Sequence, residues 1–288
     1  MTDSVFKLAV AKFGCIGAAP LLDLILDERA DRKDLEIRGF TSGAKLDPDS
    51  CNVILDQIKD YVPDLVLIVT PNAALPGASG ARDVLAEASL PTITISDGPS
   101  KKAFIGKDDD GKKVIKALDG QGFIILPSDP MIGARREFLD PTEMSIFNGE
   151  VIKVLAATGV TRFIQLAIDK VVAEIKQGNT AEMPRLVADA EDVVSQAGFS
   201  NPYAAAKAIA ALTMSETVAK LTTKACFMEK DAEKYIPLAA AGHEVLRAAV
   251  MLADEAREME KSIDMVNRTP HSSSGETKRK NKLADKPV

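Results

Sequence analysis

The residues of this chain best suited to bind a ligand are small, polar or next to a proline. They lie in the loops that directly follow successive predicted β-strands. The carboxyl ends of parallel strands gather at one edge of a sheet, where open α/β sheets bind their ligands. Small residues there let a flat ring or a phosphate come close to the backbone. The candidates for such a binding edge are Gly14, Cys15, Ile16 and Gly17, then Ser42, Gly43 and Lys45, then Thr70, Pro71 and Asn72, and finally Asp97 and Asp129.

Two of these groups have an ordinary structural interpretation beside the functional one. Gly14-x-x-Gly17 follows a strand but lacks the G-x-G-x-x-G pattern, so it is either a ligand cradle or a plain tight turn. Asp97 is either a catalytic or ligand-binding carboxylate or the first residue of a Gly-Pro turn, and its place at a strand end favours a function. No acidic residue ends the second strand to hold an adenosine ribose, so a conventional NAD site is not indicated.

A second candidate group is the pair of adjacent arginines Arg135 and Arg136, which separates two differently patterned halves of the chain. Two guanidinium groups can clamp carboxylates or phosphates through paired hydrogen bonds. The alternative is that one arginine is a structural partner of Glu137 or Asp140. The sequence leaves both interpretations open for this pair, which would lie at the mouth of the α/β domain.

Acid–base groups are scarce in this sequence. Its two histidines, His243 and His271, have no partner recognisable from the sequence, and neither a Ser-His-Asp arrangement nor a G-x-x-x-x-G-K-[ST] loop is present. Hydride transfer between two bound organic molecules needs little acid or base help, because the protein mainly holds donor and acceptor carbon in contact.

The elements that must position these residues change character halfway along the chain. Five apolar runs separated by helical segments predict an α/β fold, with a parallel doubly wound sheet in the N-terminal half. After Pro141 the periodicity is helical, which predicts a helical C-terminal half. Helices are predicted at about 142–157, 160–177, 183–196, 201–223 and 230–264, and a short helix is predicted after the polar stretch 107–113.

Three domain ranges are predicted from these patterns. They are 1–130 (α/β, coenzyme-binding), 131–267 (helical) and 268–288 (a basic tail, solvated by default).

Composition and charge disfavour several classes of protein. The chain has 288 residues with 46% hydrophobic residues and a net charge of −6, which disfavours a nucleic-acid binder. Three scattered cysteines signal neither a thiolate zinc site nor a disulfide framework, so we expect a reduced protein with a cytoplasmic location. We expect no signal peptide, because Met1-Thr2-Asp3-Ser4 lacks a basic start, and no membrane span, because no apolar run is long enough.

Several long phrases, in the same order from the first strand to the tail, closely resemble one enzyme family. They are Lys12-Phe13-Gly14-Cys15-Ile16-Gly17, Leu26-Asp27-Glu28-Arg29-Ala30-Asp31-Arg32, Ser42-Gly43-Ala44-Lys45, Gly133-Ala134-Arg135-Arg136-Glu137-Phe138-Leu139-Asp140-Pro141, Lys153-Val154-Leu155-Ala156-Ala157-Thr158-Gly159-Val160, Asn201-Pro202-Tyr203-Ala204 and Arg268-Thr269-Pro270-His271. The family is that of the coenzyme F420-dependent methylenetetrahydromethanopterin dehydrogenases of methanogenic archaea and their relatives.

The resemblance implies an oxidoreductase of one-carbon metabolism and methanogenesis that uses coenzyme F420 as cosubstrate and no metal. Its substrate would be a tetrahydromethanopterin C1 derivative, and its assembly a homo-oligomer, either a hexamer or another assembly built from dimers. The coenzyme would lie on the loops from Gly14 to Asn72 named above, while Met131, Arg135, Arg136 and His271 would line the pterin side. Asp97 or Asp129 would offset the positive charge of the methenyl product. A nicotinamide-dependent dehydrogenase of the same pterin and a non-catalytic ligand-binding oligomer remain the alternatives.

Overall fold

The computed structural model describes residues 5–28, 30–129 and 140–288, and eight strands and nine α-helices lie within them. The strands are β1 (Phe6–Lys12), β2 (Leu35–Thr41), β3 (Leu65–Val69), β4 (Thr92–Ser96), β5 (Ile105–Lys107), β6 (Lys113–Ile115), β7 (Gln121–Ile125) and β8 (Arg185–Val187). The helices are α1 (Ala19–Leu26), α2 (Pro48–Tyr61), α3 (Pro76–Glu87), α4 (Lys101–Phe104), α5 (Pro141–Thr158), α6 (Val160–Lys176), α7 (Ala190–Ala197), α8 (Pro202–Thr223) and α9 (Ala232–Ser262).

A six-stranded parallel sheet in the order β2-β1-β3-β4-β7-β8 confirms the predicted fold class. Every residue of β3, β4 and β7 is buried, as expected where helices cover both faces of a sheet. On one face, alternate residues of β1 and β3 pack against the apolar sides of α2 and α3 in a single hydrophobic cluster. Helix α2 begins at Pro48, because the Asp47 carboxylate accepts a hydrogen bond from the Ser50 N–H and Pro48 suits the first turn of a helix.

One strand of the sheet lies where a helix was predicted. The range 183–196 was expected to be helical throughout, but Arg185–Val187 form β8 and pair with β7, and α7 starts only at Ala190. Asp189 caps α7 by accepting a hydrogen bond from Asp192 N–H. Pro184 stands just before the strand, and the Asp189 cap sets the boundary between the strand and the helix.

The short helix predicted after the polar stretch 107–113 is also wrong. Residues 105–107 and 113–115 instead pair as an antiparallel hairpin, β5 with β6. The turn between them is held by Asp108, whose carboxylate accepts hydrogen bonds from Asp110 N–H and Lys112 N–H. Aspartate commonly closes a turn in this way, so the acidic run marks a tight turn.

The chain divides into two compact units. Unit 1 comprises Met1–Leu126, Ile164–Val187 and His271–Thr277, and therefore contains the sheet. Unit 2 comprises Pro127–Phe163, Ala188–Pro270 and Lys278–Val288 and is mainly helical. The predicted domain limits at residues 130 and 267 stay a prediction.

Unit 2 is built around the long helix α9, which packs along α8 and α5. Helix α8 is rich in alanine, and Ala204, Ala208 and Ala211 are buried, as expected where helix backbones approach closely. Glu260 of α9 is also buried and accepts hydrogen bonds at 3.0 Å from Ser200 N–H and Asn201 N–H, just ahead of α8. Among the described residues, α9 is long and apolar enough to cross a membrane by length and composition, a test that core helices of soluble proteins also pass.

Candidate functional site

Unit 1 collects four of the predicted groups at one edge of its sheet. Strands β1, β2, β3 and β4 are parallel neighbours in this sheet, so the loops that follow them meet at its carboxyl edge. These loops contain residues 13–18, 42–47, 70–75 and 97–100. The structure therefore brings the predicted coenzyme residues and Asp97 to the same edge.

A serine joins the first two loops. The backbone N–H of Gly14 donates to Ser42 Oγ at 3.4 Å, and the Ser42 hydroxyl donates to the carbonyl of Lys45 at 2.7 Å. The Lys12 ammonium in turn donates to the Gly43 carbonyl at 3.2 Å. Ser42 thus fixes the spacing between the β1 and β2 loops, which explains why a hydroxyl residue is useful there.

Two glycines in these loops adopt a left-handed backbone conformation. Gly14 has φ +76° and Gly43 has φ +67°, both in the region that favours glycine. A Cβ on Gly14 would also lie 3.0 Å from the Leu46 side chain. Between Gly14 and Gly17, Cys15 is half-buried while Ile16 is fully buried, so Cys15 faces the edge and Ile16 supports the loop.

The loop after β3 presents two half-buried residues, Pro71 and Asn72, between buried neighbours. The Asn72 side-chain oxygen accepts a hydrogen bond from Ala74 N–H at 3.0 Å, and the Asn72 carbonyl accepts one from Leu75 N–H at 3.2 Å. This local turn leads into α3 at Pro76. Pro71 and Asn72 are therefore held in a defined conformation at the carboxyl edge.

Asp97 follows β4 directly and is only 5% exposed. It precedes a short 3-10 turn, Gly98–Ser100, and its carbonyl accepts a hydrogen bond from Ser100 N–H at 3.0 Å. Asp97 thus starts the predicted Gly-Pro turn and also lies at the carboxyl edge of the sheet. Its position is compatible both with a turn residue and with a ligand-binding or catalytic carboxylate.

The remaining predicted residues lie elsewhere. Asp129 belongs to unit 2 and is 1% exposed, and the neighbouring Ser128 hydroxyl donates to Ser215 Oγ at 3.3 Å. Met131, Arg135 and Arg136 lie outside the described residues. Asp140, the suggested partner of one arginine, accepts hydrogen bonds from Thr142 N–H and Glu143 N–H and so caps α5.

His271 lies in unit 1 but away from the carboxyl edge. Its Nδ1 is 3.0 Å from Glu28 Oε2, its Nε2 is 2.9 Å from Asp169 Oδ2, and its backbone N–H donates to Glu28 Oε1 at 2.6 Å. Glu28 follows α1, which runs back from the carboxyl edge, so this cluster lies near the amino ends of the strands. His271 therefore has two carboxylate partners, Glu28 and Asp169, that could not be recognised from the sequence.

The charge of the His271 cluster follows from these contacts. Burial disfavours the imidazolium, but hydrogen bonds and charge attraction from Asp169 and a hydrogen bond to Glu28 outweigh burial and raise the pKa of His271. Burial likewise opposes the Glu28 carboxylate, yet its hydrogen bonds with His271 lower the pKa of Glu28. Both shifts favour an imidazolium between two carboxylates.

The sequence did not predict the buried residues that hydrogen-bond to the backbone of the loop after β3. Ser96 and Ser100 are fully buried, and Arg82 of α3 is 9% exposed, although arginine is rarely buried without an ionic partner. The spacing of Ser96 and Ser100 on either side of Asp97-Gly98-Pro99 was the available signal. Within the described residues, no three His, Cys, Asp or Glu side chains are grouped so that they could hold a metal ion.

Comparison with known proteins identifies the family. The family model for methylene-5,6,7,8-tetrahydromethanopterin dehydrogenase matches residues 6–288. F420-dependent methylenetetrahydromethanopterin dehydrogenases from Archaeoglobus fulgidus and Methanocaldococcus jannaschii are 52% and 46% identical to this chain, and each match covers 98% of this chain and 99% of the relative. A solved structure of an F420-dependent methylene-tetrahydromethanopterin dehydrogenase, in complex with methylene-tetrahydromethanopterin and coenzyme F420, matches with a TM-score of 0.89 and 41% identity over 99% of this chain and 100% of that chain. The chain therefore belongs to the methylene-5,6,7,8-tetrahydromethanopterin dehydrogenase family.

Proposed function

We propose that this chain catalyses reversible hydride transfer between methylenetetrahydromethanopterin and coenzyme F420, giving methenyltetrahydromethanopterin and reduced F420. The observation that carries this function is the match over almost the whole chain to a relative solved with both molecules bound. Relatives at 52% and 46% identity carry F420 dependence in their names, which favours F420 over the nicotinamide alternative.

We assign coenzyme F420 to the carboxyl edge of unit 1. Gly14, Cys15, Ile16 and Gly17 with Ser42 and Gly43 would form one side of its site, and Thr70, Pro71 and Asn72 the other. The left-handed conformations of Gly14 and Gly43 support this assignment, because a loop without Cβ atoms lets a flat ring approach the backbone. Lys45 is exposed beside these loops, where its charge suits an anionic group of the coenzyme.

Bound F420 would supply the ring that accepts the hydride, and the protein's part is to hold it against the methylene carbon and keep water away. The methylene carbon loses a hydrogen with both bonding electrons, so the pterin becomes a cation. A fixed carboxylate near that carbon stabilises the developing charge. We assign this role to Asp97 at the carboxyl edge of unit 1 or to Asp129 in unit 2.

The pterin side of the site rests on Met131, Arg135, Arg136 and His271, which remain predictions. The first three lie outside the described residues, and His271 has the structural partners Glu28 and Asp169. We further propose a cytoplasmic homo-oligomer, either a hexamer or another assembly of dimers. Exposed apolar side chains on unit 2, including Tyr203 and Met251, suit contacts with further copies of the chain.

An anaerobic assay tests the function directly. Purified protein is mixed with methylenetetrahydromethanopterin and, in parallel, with F420, NAD or NADP, and the deazaflavin absorbance is followed. We expect F420 absorbance to bleach and the nicotinamides to remain oxidised. Turnover with a nicotinamide and none with F420 would contradict the coenzyme assignment, while tight F420 binding without turnover would favour a non-catalytic protein.

The variant Asp97→Asn tests the electrostatic role. The amide keeps the shape of the side chain but removes its charge, so kcat should fall by about tenfold or more while the KM for F420 changes little. Asp109→Asn, in the exposed turn between β5 and β6, is the matched control and should leave both constants unchanged. An unchanged kcat in Asp97→Asn would leave Asp129 as the candidate.

A further inference from the structure

The loop after β3 is held at both ends by buried hydrogen bonds. At its start, the Ser96 hydroxyl donates to the Thr70 carbonyl at 2.5 Å. At its end, the Ala73 N–H donates to Ser100 Oγ at 2.7 Å, and the Arg82 guanidinium donates from Nη2 to the Ala73 carbonyl at 3.1 Å. Both polar groups of the Ala73 backbone are therefore fixed by side chains.

The two serines are joined to each other, which makes the contacts one chain. Ser96 Oγ lies 2.6 Å from Ser100 Oγ. Because the Ser96 proton is used on the Thr70 carbonyl, the Ser100 hydroxyl must donate to Ser96, and Ser100 then accepts from Ala73 N–H. The proton order is thus Ala73 to Ser100 to Ser96 to Thr70, and each hydroxyl both donates and accepts.

Arg82 is unusual because it is a charged side chain that is only 9% exposed. Within the described residues it forms no salt bridge, its Nε has no hydrogen-bond partner, and its guanidinium carbon lies 4.6 Å from the centre of the Phe104 ring. A buried cation without an ionic partner costs stability. Stability alone therefore does not explain an arginine at this position, whereas its hydrogen bond to the Ala73 carbonyl does.

The residues between these fixed ends are those that face outward. Thr70 and Ala73 are fully buried, while Pro71 and Asn72 are half-buried at the carboxyl edge. We propose that Ser96, Ser100 and Arg82 form a buried loop clamp that fixes Thr70–Ala73 in the conformation that binds coenzyme F420. This inference rests on the proposed function, and the three residues are positioning residues because they act through the loop.

Ser100→Ala is the first test. It removes the acceptor of the Ala73 N–H, so the KM for F420 should rise about tenfold, while kcat and the KM for the pterin change less than about twofold. Hydrogen exchange of the peptide covering residues 70–76 should accelerate in the same variant. Ser100→Thr keeps the hydroxyl and should restore most of the F420 affinity.

Arg82→Met separates positioning from plain stability. Methionine keeps an apolar stem against Phe104 but removes both the buried charge and the donor to Ala73. Loss of the buried charge favours folding and loss of the donor to the buried Ala73 carbonyl opposes it, so thermal stability should change little, while the KM for F420 rises by about as much as in Ser100→Ala. A purely structural role for Arg82 would instead lower stability and leave the KM for F420 unchanged.

Thr94→Val is the matched control. Thr94 lies on β4 two residues before Ser96, is 1% exposed, and its hydroxyl has no hydrogen-bond partner among the described residues. Its replacement should leave both KM values and the hydrogen exchange of residues 70–76 unchanged.

Two results would overturn the loop clamp. Ser100→Ala and Arg82→Met could bind F420 as the wild type does, or they could raise the KM for the pterin as much as the KM for F420. A wild-type protein that fails to reduce F420 would instead refute the proposed function.

Discussion

An imidazole buried between two carboxylates, as His271 is between Glu28 and Asp169, is most stable when both of its nitrogens carry a proton. Each ring N–H then donates to a carboxylate oxygen, at 3.0 Å to Glu28 and at 2.9 Å to Asp169. Deprotonation leaves one half-buried carboxylate facing a nitrogen lone pair, which costs free energy. The residue therefore holds the segment His271–Thr277 against the other two parts of unit 1 most strongly in its charged form.

The stability of unit 1 should consequently depend on pH through His271. Its pKa is raised on folding, so its contribution is complete below about pH 6.5 and is lost as the pH rises through the folded value. The Glu28 pKa is lowered, so the contribution of Glu28 is lost only as the pH falls below about 4.5 through its folded value. In urea titrations, His271→Asn should cost roughly 1–3 kcal/mol at pH 5.5 and clearly less at pH 9.

Ser274→Ala provides the control for this measurement. Ser274 lies in the same segment, is exposed, and pairs only locally, its hydroxyl lying 2.9 Å from Ser272 Oγ. Its effect on unfolding should be small at every pH. A cost of His271→Asn that is equal at pH 5.5 and pH 9 would show that His271 acts by packing alone.

The residues of the candidate site differ in how far the sequence could predict them. Gly14, Ser42 and Asn72 follow strands with clear apolar patterns, so their arrival at one sheet edge follows from local signals and parallel topology. The partners of His271 lie 102 and 243 residues away in sequence, and no local pattern encodes such a distance. Arg82 was missed for a similar reason, because its place under the β3 loop depends on how α3 packs.

At the scale of elements, the pairing of the edge strand β8 with β7 depends on a close approach between the backbones at Gly122 and Pro184. Gly122 of β7 lies against the residue before β8, and a Cβ there would come within 2.6 Å of the Pro184 carbonyl oxygen. Since a backbone atom cannot move aside as a flexible side chain can, any side chain at residue 122 must push β8 away. This glycine therefore permits the sixth strand.

Gly122→Ala should accordingly weaken the pairing of β8 with β7. We expect a loss of roughly 1–3 kcal/mol in the free energy of unfolding, as for an overpacked core, with faster hydrogen exchange in the peptide covering residues 184–189. Gly39→Ala is the matched strand control, because Gly39 lies in β2 with no atom within 4 Å of the added Cβ. That change should be neutral or stabilising by up to about 1 kcal/mol. Equal effects of the two substitutions would exclude the role assigned to Gly122.

The sequence predicted long elements better than short ones. Helix α2 has a capping aspartate and a proline at its start, and α5, α8 and α9 repeat their apolar residues over many turns. Strand β8 has three residues, too few to show any period, and it exists because β7 offers an unpaired edge. Its apolar residues were therefore assigned to the helix that follows it.

At the scale of the whole molecule, unit 1 is assembled from three separate parts of the chain. The sheet strands up to β7 come from the first 126 residues, β8 and most of α6 come from 164–187, and the last part is 271–277. The C-terminal segment was expected to be a solvated tail, but His271 is buried and Lys33 N–H donates to the Ser273 carbonyl at 2.9 Å. Composition could not predict this return, because a run rich in lysine and serine usually stays in solvent.

Truncation at two points tests whether this last segment completes unit 1. A chain ending at Asn267 lacks His271, so Glu28 and Asp169 lose their shared cation and the Lys33 N–H loses its acceptor. Hydrogen exchange should then accelerate in peptides covering residues 28–36 and 165–172.

A chain ending at Thr277 is the control. It removes the lysine-rich end but keeps these contacts, so the same peptides should exchange as they do in the full chain. Because the Thr277 hydroxyl also donates to Asp169 Oδ2 at 3.0 Å, this end point keeps the whole cluster. Equal exchange in the two truncated chains would mean that the segment rests on unit 1 without stabilising it.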